Sequence, residues 1–174
     1  MKNKRLFCMS VASSMAALSI LLDFVSVRTN ESKFTLYGLP LLFAGMFFGP
    51  WVGGLAGLVS GFISQVILYG ITPTTPIWMI APMMWGWLSG FIYHKLFRRK
   101  LQIPSVVTTI LCTSLIVTLC NTVSMWLDGL IYHYPTPYVI TQLLMRIVTA
   151  LILCIPYSFI LYLCLVRYEK STYR

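Results

Sequence analysis

Acidic residues are almost missing from this 174-residue chain: four Asp and Glu stand against thirteen Lys and Arg. Asp23, Glu31, Asp128 and Glu169 are scattered, and no two are placed as the carboxylate pair that hydrolytic acid–base chemistry uses. Histidine is nearly as scarce, with only His94 and His133. No HExxH, GxSxG or phosphate-binding loop occurs, so metalloprotease, serine-hydrolase and nucleotide-driven chemistry lack their motifs. The chain is therefore not an ATP-driven pump by itself, and no cofactor is implied. Its five cysteines (Cys8, Cys112, Cys120, Cys154, Cys164) form no CxxC and have no histidine at ligand spacing. They read as small packing residues, with no disulfide and no metal site. Charge of either sign is short: 10% of residues, against roughly a quarter in soluble domains.

Long apolar runs fill the place of the missing charge, and 58% of the residues are hydrophobic. A helix needs about 20 apolar residues to cross a hydrocarbon core of roughly 30 Å. Six runs qualify or come close, and they predict an all-α integral membrane protein in one domain, a bundle of six transmembrane helices. The predicted helices cover residues 6–27, 35–49, 52–70, 77–95, 104–128 and 139–166. Breaks fall at the polar stretch 28–33, at Gly49-Pro50, at the two prolines of 71–76 and at the loop 129–138. The first run is long and lacks a small-residue cleavage pattern, so it reads as a retained helix and not as a signal peptide.

Ten of the thirteen basic residues sit in three clusters: Lys2/Lys4/Arg5, Lys95/Arg98/Arg99/Lys100 and Arg167/Lys170/Arg174. Six spans put all three on one side, and basic flanks are retained in the cytoplasm. Both termini are then inside. A net charge of +9 would suggest nucleic acid in a soluble protein. Beside membrane spans, the expected partner is anionic membrane lipid, with no nucleic acid.

Small residues mark close helix packing. Gly45, Gly49, Gly53, Gly57 and Gly61 recur at intervals of four, and Gly86 and Gly90 repeat the interval. Ala12 and Ala16 share one face of the first helix. They suit either the bundle interior or contact with a separate subunit.

Polar side chains within the spans are costly and mark candidate function. Arg146 and Asn121 each fall about 10 Å below the outer ends of their helices. Gln65 and Gln142 lie nearer the surface, and Trp78, Trp85 and Trp126 occupy the outer halves of helices 4 and 5. One cation, several amides and several indoles at one level describe a pocket open to the exterior. Arg146 would take a carboxylate, the indoles a flat ring, and the amides would fix its orientation. The alternatives are structural: Asp23 as an ion-pair partner for Arg146, an interfacial belt for the indoles and an interhelical hydrogen bond for Asn121.

The segment from Leu39 to Gly61, LPLLFAGMFFGPWVGGLAGLVSG, resembles the helix 2–3 region of the substrate-binding S components of energy-coupling-factor (ECF) transporters. Ala12-x-x-x-Ala16 resembles that family's helix 1 motif, and Asn121 with Arg146 resembles its folate-type members. The chain departs from the pattern at Ser64-Gln65, where many members carry an Asp, and at Ile71 to Trp78, where folate-type members are rich in Phe and Gly. The resemblance implies a subunit that captures a vitamin or vitamin precursor from outside, with a carboxylate-bearing, folate-like molecule favoured. It also implies delivery through a transmembrane coupling subunit (EcfT) and two ATPase subunits (EcfA and EcfA'), with Ala12 and Ala16 facing the coupling subunit. ATP hydrolysis would then belong to those partners. The competing expectation is a membrane assembly protein in which Arg146 and Asp23 form a structural pair.

Overall fold

The computed structural model describes residues 2–28, 33–98, 102–133 and 135–172. Six α-helices are present among the described residues: α1 (Lys2–Phe24), α2 (Gly38–Phe48), α3 (Pro50–Tyr69), α4 (Thr75–Phe91), α5 (Ile103–Tyr132) and α6 (Thr136–Thr172). The chain is an all-α membrane bundle. Helical segments 5–24, 50–69, 103–132 and 137–168 are each long and apolar enough to cross a membrane. The 17 residues of α4 continue into a π-helical turn, Ile92–Leu96, and reach full length with it. At 1.5 Å per residue the 11-residue α2 rises only about 16 Å, half of a hydrocarbon core.

Several ends differ from the sequence expectation. Helix α1 stops at Phe24 rather than at 27, after which Val27–Arg28 (β1) pairs antiparallel with Lys33–Phe34 (β2). The rest of the polar stretch, 29–32 with Glu31, lies outside the described residues. Helix α5 runs through Gly129 to Tyr132. Its end is set by His133, in the left-handed region at φ 56°, whose N–H bonds to the Gly129 carbonyl. Pro135 stands two residues on, just before α6, so the expected ten-residue loop shrinks to the three residues between α5 and α6.

Glycine lets α2, α3 and α4 touch backbone to backbone. A Cβ on Gly45 would run into the Gly86 carbonyl, and one on Gly53 would stand 2.6 Å from Gly45 Cα. Gly49, at φ 103°, makes the sharp link between α2 and α3, with Pro50 opening the next helix. Beside this trio, Leu42, Met46, Val106, Ile110, Tyr157 and Leu161 form a core shared with α5 and α6.

One end of the bundle is closed and aromatic. Phe7 meets Phe48 at 5.9 Å, Tyr168 meets Phe47 at 4.5 Å, and His94 Nε2 donates to the Met46 carbonyl at 2.8 Å. Arg5, Lys95 and Arg167 belong to this end by their places on α1, the π turn and α6, and Arg98 follows just past the π turn. Arg99, Lys100 and Arg174, and the side chains of Lys2, Lys4, Arg28, Lys33 and Lys170, lie outside what is described.

Candidate functional site: a polar cavity at the opposite end

The core thins toward the other end, and a cavity of about 490 Å³ opens there. Its wall is assembled from polar residues spaced three or four apart on otherwise apolar helices, which places them on one face of each helix. Ser114, Thr118 and Asn121 come from α5, and Tyr138, Gln142, Arg146 and Thr149 from α6. Ser60, Ser64 and Gln65 on α3, Trp78 and Trp85 on α4, and Ser19 and Asp23 on α1 complete it.

Arg146 is the cation of this wall. Its Nη2 donates weakly to Met125 Sδ at 3.6 Å, while Nη1 is buried with no hydrogen-bond partner among the described residues. A buried guanidinium nitrogen without an acceptor is costly, and an acceptor supplied by a ligand would remove that cost. Asp23 lines the same cavity and is itself buried. Among the described residues the Arg146 guanidinium hydrogen-bonds to Met125 and not to Asp23.

A short strap, Thr35 to Tyr37, crosses the cavity and is tied to three helices. Ser19 Oγ donates to the Tyr37 carbonyl at 2.8 Å, Trp85 Nε1 to Tyr37 Oη at 3.1 Å, and Tyr157 Oη to the Thr35 carbonyl at 2.9 Å. The Trp85 and Tyr157 rings lie 6.1 Å apart. Trp85 therefore offers a ligand its ring surface but not its N–H, which is already engaged.

Of the residues expected at the site, Arg146, Asn121, Trp85, Trp78, Gln142 and Gln65 all line this cavity. Trp126 does not. Five residues past Asn121 is about 140° around the helix, and the indole is 52% exposed on the outer surface of α5. On α1 the two alanines lie toward neighbouring helices. Ala16 is 2% exposed and packs with Leu41 and Ala56, with Ala12 against the same cluster. Ala16 is buried, whereas Ala12 is only partly so. Ser13 and Ala17, one position on, are among the small residues exposed on α1, with Ser10 and Ser14. Tyr37, Tyr157 and the α5 hydroxyls were not singled out from sequence, although the three- and four-residue spacing of polar groups on α5 and α6 carried the signal.

A family model described as the S component of the ECF-type riboflavin transporter matches residues 5–167. The chain belongs to this S-component family. ThiT from Listeria monocytogenes has a similar fold, with a TM-score of 0.75 at 20% identity, covering 97% of this chain and 98% of that one. A structure described as the S component of a bacterial ECF transporter gives a TM-score of 0.69 at 18% identity, with full coverage of both chains. No curated protein shows a significant sequence match. As an S component, the chain is a multi-pass protein of the bacterial cell membrane and the substrate-binding subunit of a transporter, not an enzyme.

Proposed function

We propose that this S component captures a flat heterocyclic vitamin from outside the cell, in the cavity between α1, α3, α4, α5 and α6. Both termini face the cytoplasm, in keeping with the basic residues at the aromatic end. A transmembrane coupling subunit and separate ATPases drive delivery, and the coupling subunit meets α1 on the outward side that carries Ser13 and Ala17. The observation that carries the substrate assignment is the buried, unpartnered Nη1 of Arg146 in the cavity wall. It calls for a hydrogen-bond acceptor on the ligand, while Trp78 and Trp85 offer ring faces and Asn121, Gln142 and Gln65 offer amides.

Riboflavin is the leading substrate, because the family description names it. Its ring carbonyls supply acceptors and its flat ring suits the indoles. A folate-like vitamin is the second reading, favoured by Arg146, since a carboxylate is the strongest acceptor for a guanidinium. Titration of detergent-purified protein with riboflavin and with folate, without ATP, separates the two. Saturable submicromolar binding of riboflavin supports the first and of folate the second. Binding of neither, with no small molecule found by mass spectrometry of the purified protein, refutes the vitamin assignment.

A further inference from the structure

A second hollow, of about 420 Å³, lies on the outer surface of the bundle between α3 and α4, away from the substrate cavity. Trp51, Leu55 and Leu58 line it from α3, Met83 and Trp87 from α4, and Gly54 leaves its floor open. Trp51 is 76% exposed, and Leu55 and Leu58 are exposed too. It lies in the half of the bundle nearer the basic end, since Trp51 stands in the first turn of α3 and Trp87 is one turn before the end of α4.

The hollow continues along α4 into a graded strip. The Trp87 ring stacks on Phe91 at 5.4 Å with planes 16° apart, and Lys95 Nζ sits 4.9 Å over the Phe91 ring. The ring stacking and the cation contact hold residues 87, 91 and 95 in one stripe that runs into the π turn. Arg98, three residues on and past the helix end, is a second exposed cation at the same end. Apolar hollow, aromatic step, then cationic end is the order of a phospholipid lying along a helix: acyl chain, glycerol region, phosphate. Two cations at that end match a headgroup of net negative charge. A zwitterionic headgroup would bring an ammonium of its own, which they repel.

We propose that the α3–α4 hollow, with Lys95 and Arg98, is a binding site for one anionic phospholipid of the leaflet at the basic end. One acyl chain fills the space between Trp51 and Trp87, and the phosphate sits at the two cations. This site is independent of the vitamin cavity.

Lipids brominated in the acyl chain test it, because bromine quenches a tryptophan that it touches. The protein is reconstituted into phosphatidylcholine nanodiscs containing either brominated phosphatidylglycerol or brominated phosphatidylcholine. The phosphatidylglycerol form should reach half-quenching at a mole fraction at least threefold lower. That preference should fall to parity in Lys95→Gln/Arg98→Gln and should vanish in Trp51→Phe/Trp87→Phe, with helical content by circular dichroism unchanged in both. Equal quenching of the wild type by the two lipids would overturn the proposal, as for a hollow that takes any chain or a partner's helix. An anionic preference that survives either double substitution would also overturn it, because the lipid would then sit elsewhere.

Discussion

The two ends of this bundle are built from opposite materials. Toward the basic end, α2, α3 and α4 meet through glycine, with backbone against backbone at Gly45, Gly53 and Gly86. Toward the other end the helices part, and polar side chains of α1, α3, α4, α5 and α6 surround open space. Close packing excludes a ligand, whereas a binding cavity gives up dispersion contacts along its walls. The comparison suggests that the glycine-packed trio supplies the stability that allows α5 and α6 to hold a partly unsatisfied polar wall.

Substitution in the trio should have the largest effect. Gly45→Leu places a side chain where the Gly86 carbonyl and the Gly90 N–H already stand, and backbone cannot yield as a side-chain tip can. Overpacking costs about 1–3 kcal/mol in ordinary cores. Here the loss should reach or exceed the upper figure, seen as loss of monodisperse protein on size exclusion. The contrast within α1 is nearly as sharp. Ala16→Trp should abolish vitamin binding because Ala16 is enclosed by Leu41 and Ala56, whereas Ala17→Trp, on the outer face, should leave binding intact and block uptake into cells. If both substitutions spare binding, the orientation given to α1 is wrong.

A smaller effect is expected at the strap. Tyr37→Phe leaves the Trp85 N–H without its partner, at a cost of about 1–3 kcal/mol. The melting temperature should fall by several degrees and vitamin affinity by less than tenfold. Trp126→Ala should be the mildest, changing affinity less than twofold, because that indole faces outward. A large loss there would mean that the outer face of α5 takes part in capture.

The helices were legible because bilayer thickness imposes a length and proline and glycine punctuate the runs. The inner face of α6 was legible too, since Gln142 and Arg146 are four apart in an otherwise apolar helix. Other features depend on information that spacing does not carry. One position along a helix turns a side chain by about 100°, so spacing alone does not say what Ala12 and Ala16 face. Nor does it show that Trp126 lies outside the cavity wall. Gly129 reads as the start of a loop after a helix ending at 128, but Pro135 and the left-handed His133 set the end four residues later, at Tyr132. Whether Asp23 reaches Arg146 depends on the separation of α1 and α6, which is a property of the whole bundle. The role of Tyr37 arises only when α1, α4 and α6 converge on one strap.

Isothermal titration of the wild type and of Arg146→Ala with the vitamin tests the central claim most directly. Loss of one charge-assisted contact corresponds to about 1.5–3 kcal/mol, or roughly 10- to 100-fold in affinity. Weakening in that range, with the melting temperature of the unliganded protein held or raised, is the predicted result. Affinity within twofold of the wild type would contradict it, since the guanidinium in the cavity wall would then not be what holds the substrate.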